Sequence, residues 1–247
     1  MDIKQFLDST YLKTAEQAKL SEAENRAVVK RFVEEAIEEQ FKLIMIRPDM
    51  AEMSKNMILS ASSKVLVGTV IDFPLGQSTL ESKLEEAAQA VRNGADELDF
   101  VVNYEAFKEG EIDKVKTEVL ECTRFGLSKQ KVVKWIIEVA ALEPHQIVQL
   151  SVLIKNIVIT NFKEDCYASV FVKSSTGFYE TKDNLPNGAT VPAILLMLEN
   201  AFPLPVKAAG GVRNYEEAEV MIRLGVKRIG TSAAKAIASG QIASEGY

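Results

Sequence analysis

The residues Val170, Phe171, Val172, Lys173, Ser174, Ser175, Thr176 and Gly177 carry an apolar run that ends on a lysine and passes straight into a hydroxyl-and-glycine loop. An amine at the end of a strand, where the chain turns into polar loop, stands where barrel enzymes keep reactive groups, and lysine is the side chain that makes Schiff bases. The layout recurs at Pro205, Val206, Lys207, Ala208, Ala209, Gly210 and Gly211. A free lysine, with pKa about 10.4, leaves only on the order of one amine in a thousand unprotonated near neutral pH. A neighbouring ammonium and partial desolvation both penalise the charged form, so lysines on adjacent strands, about 4.8 Å apart in backbone spacing, would tune one another. Either lysine alone reads better as solvent-facing or salt-bridged; the pair at matching strand ends points to chemistry.

The elements that must hold these lysines are legible as alternation. Strand-like runs occur at Phe6 to Leu12, Phe41 to Ile46, Val65 to Ile71, Glu97 to Val102, Val132 to Ile137, Ser169 to Lys173, Leu204 to Ala208 and Lys227 to Thr231. Between them lie amphipathic stretches at Glu22 to Glu39, Leu80 to Asn93, Asp113 to Phe125, Pro144 to Asn156, Val191 to Glu199 and Tyr215 to Leu224. Strand and helix in turn imply a parallel α/β sheet, and eight units in 247 residues fit one (β/α)8 TIM barrel spanning 1–247. An open doubly wound sheet is the competing arrangement. Asn93-Gly94 and Leu224-Gly225 read as helix stops, and 239–247 as a small, polar, mobile tail.

Period-2 counting in the fourth strand sends Leu98, Phe100 and Val102 to one face and Glu97, Asp99 and Val101 to the other. With the apolar face toward the helices, Asp99 points into the barrel. The same count turns Val133, Trp135 and Ile137 outward and Lys134 and Glu138 inward, with Lys173 and Lys207 opposite Val172 and Val206. Buried charges are costly unless paired, so the expected interior is a mixed-sign cluster of Asp99, Lys134, Glu138, Lys173 and Lys207. A salt-bridge network without catalytic duty is the plain alternative.

Gly210-Gly211, followed one strand later by Gly230, Thr231 and Ser232, stands where barrels bind phosphate through backbone N–H groups. The net charge of -6, with 26% charged and 47% hydrophobic residues, provides no basic footprint for nucleic acid, so any anion site must be local. No apolar run reaches the ~18 residues of a membrane span, and the start from Met1 to Phe6 lacks an export pattern. These features lead to the expectation of a cytoplasmic chain without membrane or nucleic-acid partners. Cys122, Cys166 and the sole His145 show no metal-ligand spacing, so no metal is expected.

Segments spread along nearly the whole chain resemble the 2-deoxyribose-5-phosphate aldolase family of class I aldolases. They are LDSTYLK near the start, FPLG at Phe73 to Gly76, GADELDFVVNY at Gly94 to Tyr104, VVKWIIE at Val132 to Glu138, VFVKSSTGF, GATV at Gly188 to Val191, VKAAGGVR at Val206 to Arg213 and RIGTSA at Arg228 to Ala233. The resemblance implies a (β/α)8 barrel that reversibly cleaves 2-deoxy-D-ribose 5-phosphate to glyceraldehyde 3-phosphate and acetaldehyde. Its partners would be a phosphorylated sugar and an aldehyde, with no cofactor. By position it makes Lys173 the Schiff-base lysine and Lys207 the cation that depresses its pKa. Asp99 would relay protons through a bound water with Lys134 beside it, and Asp8 and Thr10 would join the same polar network. Gly177, Gly210, Gly211, Gly230 and Ser232 would hold phosphate.

Several positions depart from the family pattern: Ser9, Arg47, Asp72, Val139 and Ala233, the stretch Glu164 to Ala168, and a longer Tyr179 to Asn187. Arg47 and Asp72, if at the mouth, would reshape substrate choice. A related Schiff-base aldolase with another sugar phosphate and a non-catalytic phosphometabolite-binding barrel remain as alternative readings. A homodimer is compatible with the sequence, although periodicity does not separate exposed apolar helix faces from core faces. The terminal Tyr247 would assist proton transfer if the tail folded over the site, but a disordered end is the plainer reading. Kinetics of a chain lacking Tyr247 separate the two: a fall in turnover is expected if the tail acts, and unchanged turnover leaves only the disordered end.

Overall fold

The strands Leu7–Tyr11 (β1), Leu43–Ile46 (β2), Leu66–Ile71 (β3), Glu97–Val101 (β4), Val132–Ile136 (β5), Val170–Lys173 (β6), Val206–Ala209 (β7) and Arg228–Thr231 (β8) pair in parallel, each with the next. β8 returns to β1, with Asp8 in register with Gly230, and closes the barrel. This computed structural model describes residues 2–182 and 185–240; Asn184 and the terminal stretch with Tyr247 lie outside them. The eight anticipated strands are present, and the closed barrel excludes the open doubly wound sheet.

The helices are Ala15–Ala18 (α1), Glu22–Glu39 (α2), Ala51–Ser60 (α3), Leu80–Arg92 (α4), Tyr104–Lys108 (α5), Ile112–Ser128 (α6), Pro144–Asn161 (α7), Val191–Ala201 (α8), Tyr215–Leu224 (α9) and Ala234–Ser239 (α10). Local chemistry sets their ends. Ser21 and Glu24 form a capping box at the start of α2, satisfying two otherwise orphaned N–H groups. Thr79, Thr190 and Asn214 cap α4, α8 and α9 through their side-chain oxygens. The sequence pattern did not reveal α1, α3, α5 or α10. Three of these have six residues or fewer, too short for a full period of apolar spacing. In α3 the core contacts come from Ala51, Ser54 and Ile58, and only one of the three is strongly apolar.

The outward faces behave as alternation predicts. Phe100 on β4 and Trp135 on β5 stack with centroids 5.2 Å apart. The Trp135 indole N–H donates to Thr123 on α6 at 2.9 Å, so a large aromatic is buried with its one polar atom satisfied. Inside the barrel the walls differ. Leu43 and Met45 of β2, Val70 of β3 and the adjacent Leu12 form a small apolar cluster, whereas β4 to β8 and β1 contribute charges.

One buried ion group lies outside the barrel wall and anchors the loop after β3. Lys83 of α4 is fully buried, and its Nζ donates to the carbonyls of Gly76 and Val101, both at 3.0 Å. It also pairs with Asp72 at 3.2 Å and with Glu118 of α6. Asp72 faces this lysine and accepts from Ser78, so it shapes the loop from behind instead of facing the pocket. Burial pushes the Glu118 carboxyl up, against the pull of Lys83. Lys83→Met would strand Glu118 as an uncompensated buried acid and is expected to cost about 3–5 kcal/mol. Urea unfolding measures this; a loss below about 1 kcal/mol would show that the cluster relaxes into solvent.

Candidate active site

Three interior lysines converge on one carboxylate. Asp99 of β4 accepts from Lys134 at 2.6 Å through Oδ1, and from Lys173 at 3.1 Å and Lys207 at 2.9 Å through Oδ2. Lys207 also reaches Asp8 of β1 at 2.6 Å, and Lys134 reaches Glu97 of β4 at 2.5 Å. Arg228 of β8 completes the network, with Nε 2.7 Å from Asp8 and a two-pronged contact to Glu97 at 3.0 and 3.2 Å. Every one of these groups is buried, so the network is held together by mutual neutralisation, which burial of isolated charges would forbid.

The electrostatics separate Lys173 from Lys134. For Lys173, burial and the neighbouring Lys207 outweigh Asp99 and bring the amine from 10.5 down to about 8. For Lys134, burial opposes the charge, but the carboxylates of Asp99, Glu97 and Asp8 overcome it and raise the pKa. Asp99 is itself penalised by burial, yet Lys134, Lys207 and Lys173 hold it well below the usual carboxylate range. Asp8 follows the same balance, its burial outweighed by Arg228, Lys207 and Lys134. Of these two amines, Lys173 is therefore the one more readily released from its proton.

Access makes the same distinction. A pocket at the C-terminal ends of the strands is lined by Lys173 together with Thr10, Leu12, Thr176, Gly177, Gly210, Gly211, Arg213, Gly230 and Ser232, whereas Lys134 and Lys207 are not part of its lining. The five glycine and serine positions anticipated for phosphate thus share one cavity with the candidate nucleophile. Gly188 and Gly210 allow two loops to cross here. A Cβ on Gly188 would lie 2.5 Å from the carbonyl oxygens of Ala209 and Gly210, and Gly210 adopts φ 82. The Gly177 N–H is already donated to Ser175 Oγ at 2.9 Å.

The placement of the remaining expected residues is specific. Thr10 lines the pocket and donates to the main-chain oxygen of Asp8 at 2.8 Å, while the Asp8 carboxylate lies deeper, on Lys207 and Arg228. Glu138, expected among the inward charges of the fifth strand, is buried but departs from that cluster. β5 ends at Ile136, and Glu138 turns into the left-handed region at φ 53, ψ 68, which carries its carboxylate to Ser175 and Thr176. That conformation costs a non-glycine residue about 1–2 kcal/mol and persists only because its contacts hold it. Arg47 does not line the pocket. Its Nε donates to the Leu12 carbonyl at 2.8 Å and its guanidinium lies 5.1 Å from the Phe73 ring centre.

A family model described as DeoC/LacD family aldolase matches residues 12–242. The chain belongs to this aldolase family. It is similar to a deoxyribose-phosphate aldolase of Thermococcus gammatolerans, 36% identical over 97% of this chain and 96% of the relative. A deoxyribose-phosphate aldolase 1 of Staphylococcus aureus is 34% identical over 100% of both chains. Among solved structures, one described as QR15, an aldolase, superposes with TM-score 0.80 at 31% identity, covering 97% of this chain and 95% of the other. The tetrameric deoxyribose phosphate aldolase of Aeropyrum pernix does so with TM-score 0.74 at 27% identity, covering 96% and 89%.

Sequence reasoning overlooked three features of this aldolase site. Arg228 and Glu97 close the floor of the network; the signal was present, since Glu97 shares a face with Asp99 and Arg228 shares one with Gly230. Arg213 brings a cation to the rim, at the end of a motif whose glycines drew attention first. Lys207→Leu is expected to return Lys173 toward 10.5, moving the rising limb of the pH–rate profile to higher pH and lowering turnover at neutral pH about tenfold per pKa unit. Asp99 keeps Lys134 and Lys173, and Asp8 keeps Arg228, so thermal unfolding should shift much less than activity. Equal activity at neutral pH would reject the tuning role.

Proposed function

We propose that this aldolase reversibly cleaves 2-deoxy-D-ribose 5-phosphate to D-glyceraldehyde 3-phosphate and acetaldehyde through a Schiff base on Lys173. The observation that carries this reading is that Lys173, alone of the three interior lysines, lines the pocket while its pKa is lowered to about 8. The deprotonated amine adds to the aldehyde carbon C1, and loss of water gives an iminium. Loss of the C3 hydroxyl proton breaks the C2–C3 bond, the electron pair moves into the iminium to form an enamine, and glyceraldehyde 3-phosphate departs. Protonation of the enamine at C2 and hydrolysis then release acetaldehyde and restore the amine.

In this scheme Lys207 is the fixed cation, and Asp99 orients Lys173 and accepts through a water in the proton relay. Lys134 keeps Asp99 ionised, and Asp8 with Thr10 extends the polar network toward the substrate hydroxyls. Gly210, Gly211, Gly230 and Ser232 seat the phosphate, with Gly177 leaving space for it and Arg213 adding charge. The reading is cofactor-free and cytoplasmic. Among the described residues no helix is long and apolar enough to cross a membrane. A second copy of the chain, as a homodimer, belongs to the same reading, and light scattering giving a monomer mass would remove it.

Borohydride reduction in the presence of acetaldehyde should leave a stable added mass on Lys173, read by peptide mass analysis. Absence of an adduct at saturating aldehyde would sink the aldolase chemistry and leave a barrel that binds a phosphorylated metabolite. Repeating the trapping across several aldehydes also reports the acceptor range.

A further inference from the structure

Ser175 is over-committed unless Glu138 carries a proton. Its hydroxyl oxygen accepts from the Gly177 N–H at 2.9 Å and lies 2.6 Å from the Asn187 carbonyl oxygen and 2.7 Å from Glu138 Oε1. A hydroxyl has one proton and two lone pairs. The Asn187 carbonyl can only accept, so the single Ser175 proton belongs to that contact. The remaining 2.7 Å contact then requires a proton on Glu138 Oε1, donated to the second lone pair of Ser175. The other carboxyl oxygen is consistent with this: Oε2 accepts from the Thr176 N–H at 3.1 Å and from the Thr176 hydroxyl, which in turn accepts from the Phe178 N–H at 3.0 Å. Among the ion pairs of the described residues Glu138 takes no part.

We propose that Glu138 is a neutral carboxylic acid whose proton fastens the loop after β6 to the loop before α8, and so positions the seat for the substrate phosphate. This rests on the aldolase reading of the pocket. The fastening continues past Ser175: Asn187 Nδ2 donates to the Gly177 carbonyl at 3.3 Å, and the Ala189 N–H donates to the Gly210 carbonyl at 2.8 Å. Thr176, Gly177 and Gly210 of the pocket wall are thus held in one chain of hydrogen bonds that starts at Glu138. The surroundings agree: burial raises the Glu138 pKa and prevails over the opposing hydrogen bonds of Thr176 and Ser175 and over Lys173 from β6, a cation already engaged by Asp99. Tyr104 from α5 is the other titratable group near Glu138, and burial pushes its phenol up, so it is neutral as well. Glu138 is a positioning residue, since it acts through Ser175 and Thr176.

Glutamine reproduces a neutral acid here, with its N–H2 donating to Ser175 and its oxygen accepting from Thr176; it does not reproduce a carboxylate. The infrared difference spectrum of wild type against Glu138→Gln at pH 7 should contain the carbonyl band of a protonated carboxylic acid, and a carboxylate pair in its place overturns the proposal. In steady-state kinetics Glu138→Ala should raise KM for 2-deoxyribose 5-phosphate at least tenfold with a smaller change in kcat, and Glu138→Gln should restore KM to within about threefold of wild type. A Gln variant as impaired as the Ala variant overturns it. If the Ala variant does not fold, the infrared spectrum and the Gln kinetics still decide. Acetaldehyde trapping on Lys173 of the wild type needs no phosphate seat, so its failure would speak against the aldolase reading and not against the protonation of Glu138.

Discussion

The carboxylate of Asp99 is the interaction on which the centre of this barrel depends. Three lysines in a dry interior would repel one another and shed their protons; one ionised aspartate, reached by all three within 3.1 Å, keeps them in place. Asp8, Glu97 and Arg228 then balance the charge that remains. The balance is unequal by construction. Lys134 sits between Asp99 and Glu97, whereas Lys173 shares a single oxygen of Asp99 with Lys207. The same network that stabilises the fold therefore leaves one amine under-compensated, and that amine is the one that meets the pocket.

Much of this arrangement was legible in the sequence because strands alternate with period 2. Counting from Phe100 and Trp135 outward places Asp99 and Lys134 inward, and the neighbouring strands bring Lys173 into register with Lys207. The glycine loops were legible for a related reason: a hydroxyl-and-glycine stretch following a strand end in an alternating chain has few other places to lie.

What escaped the sequence has physical causes too. Lys83 looks like any exposed lysine of an amphipathic helix, and its partners Asp72 and Glu118 come from a loop and from another helix. Nothing in the residues Ile136 to Val139 announces a left-handed glutamate; period-2 counting extends the strand through Glu138, and only the contacts with Ser175 and Thr176 explain why the chain leaves it. Short helices such as α1 and α5 are fixed by a cap and a few contacts, which periodicity does not register.

The crossing of Gly188 over Gly210 constrains how this molecule can diverge. The segment between β6 and α8 is pinned at one foot by Ser175 and Thr176 and at the other by Asn187 and Ala189. Insertions or deletions between those feet alter an arch whose abutments stay fixed. Changes of length between those feet therefore leave the pocket wall built from Thr176, Gly177 and Gly210 where it is.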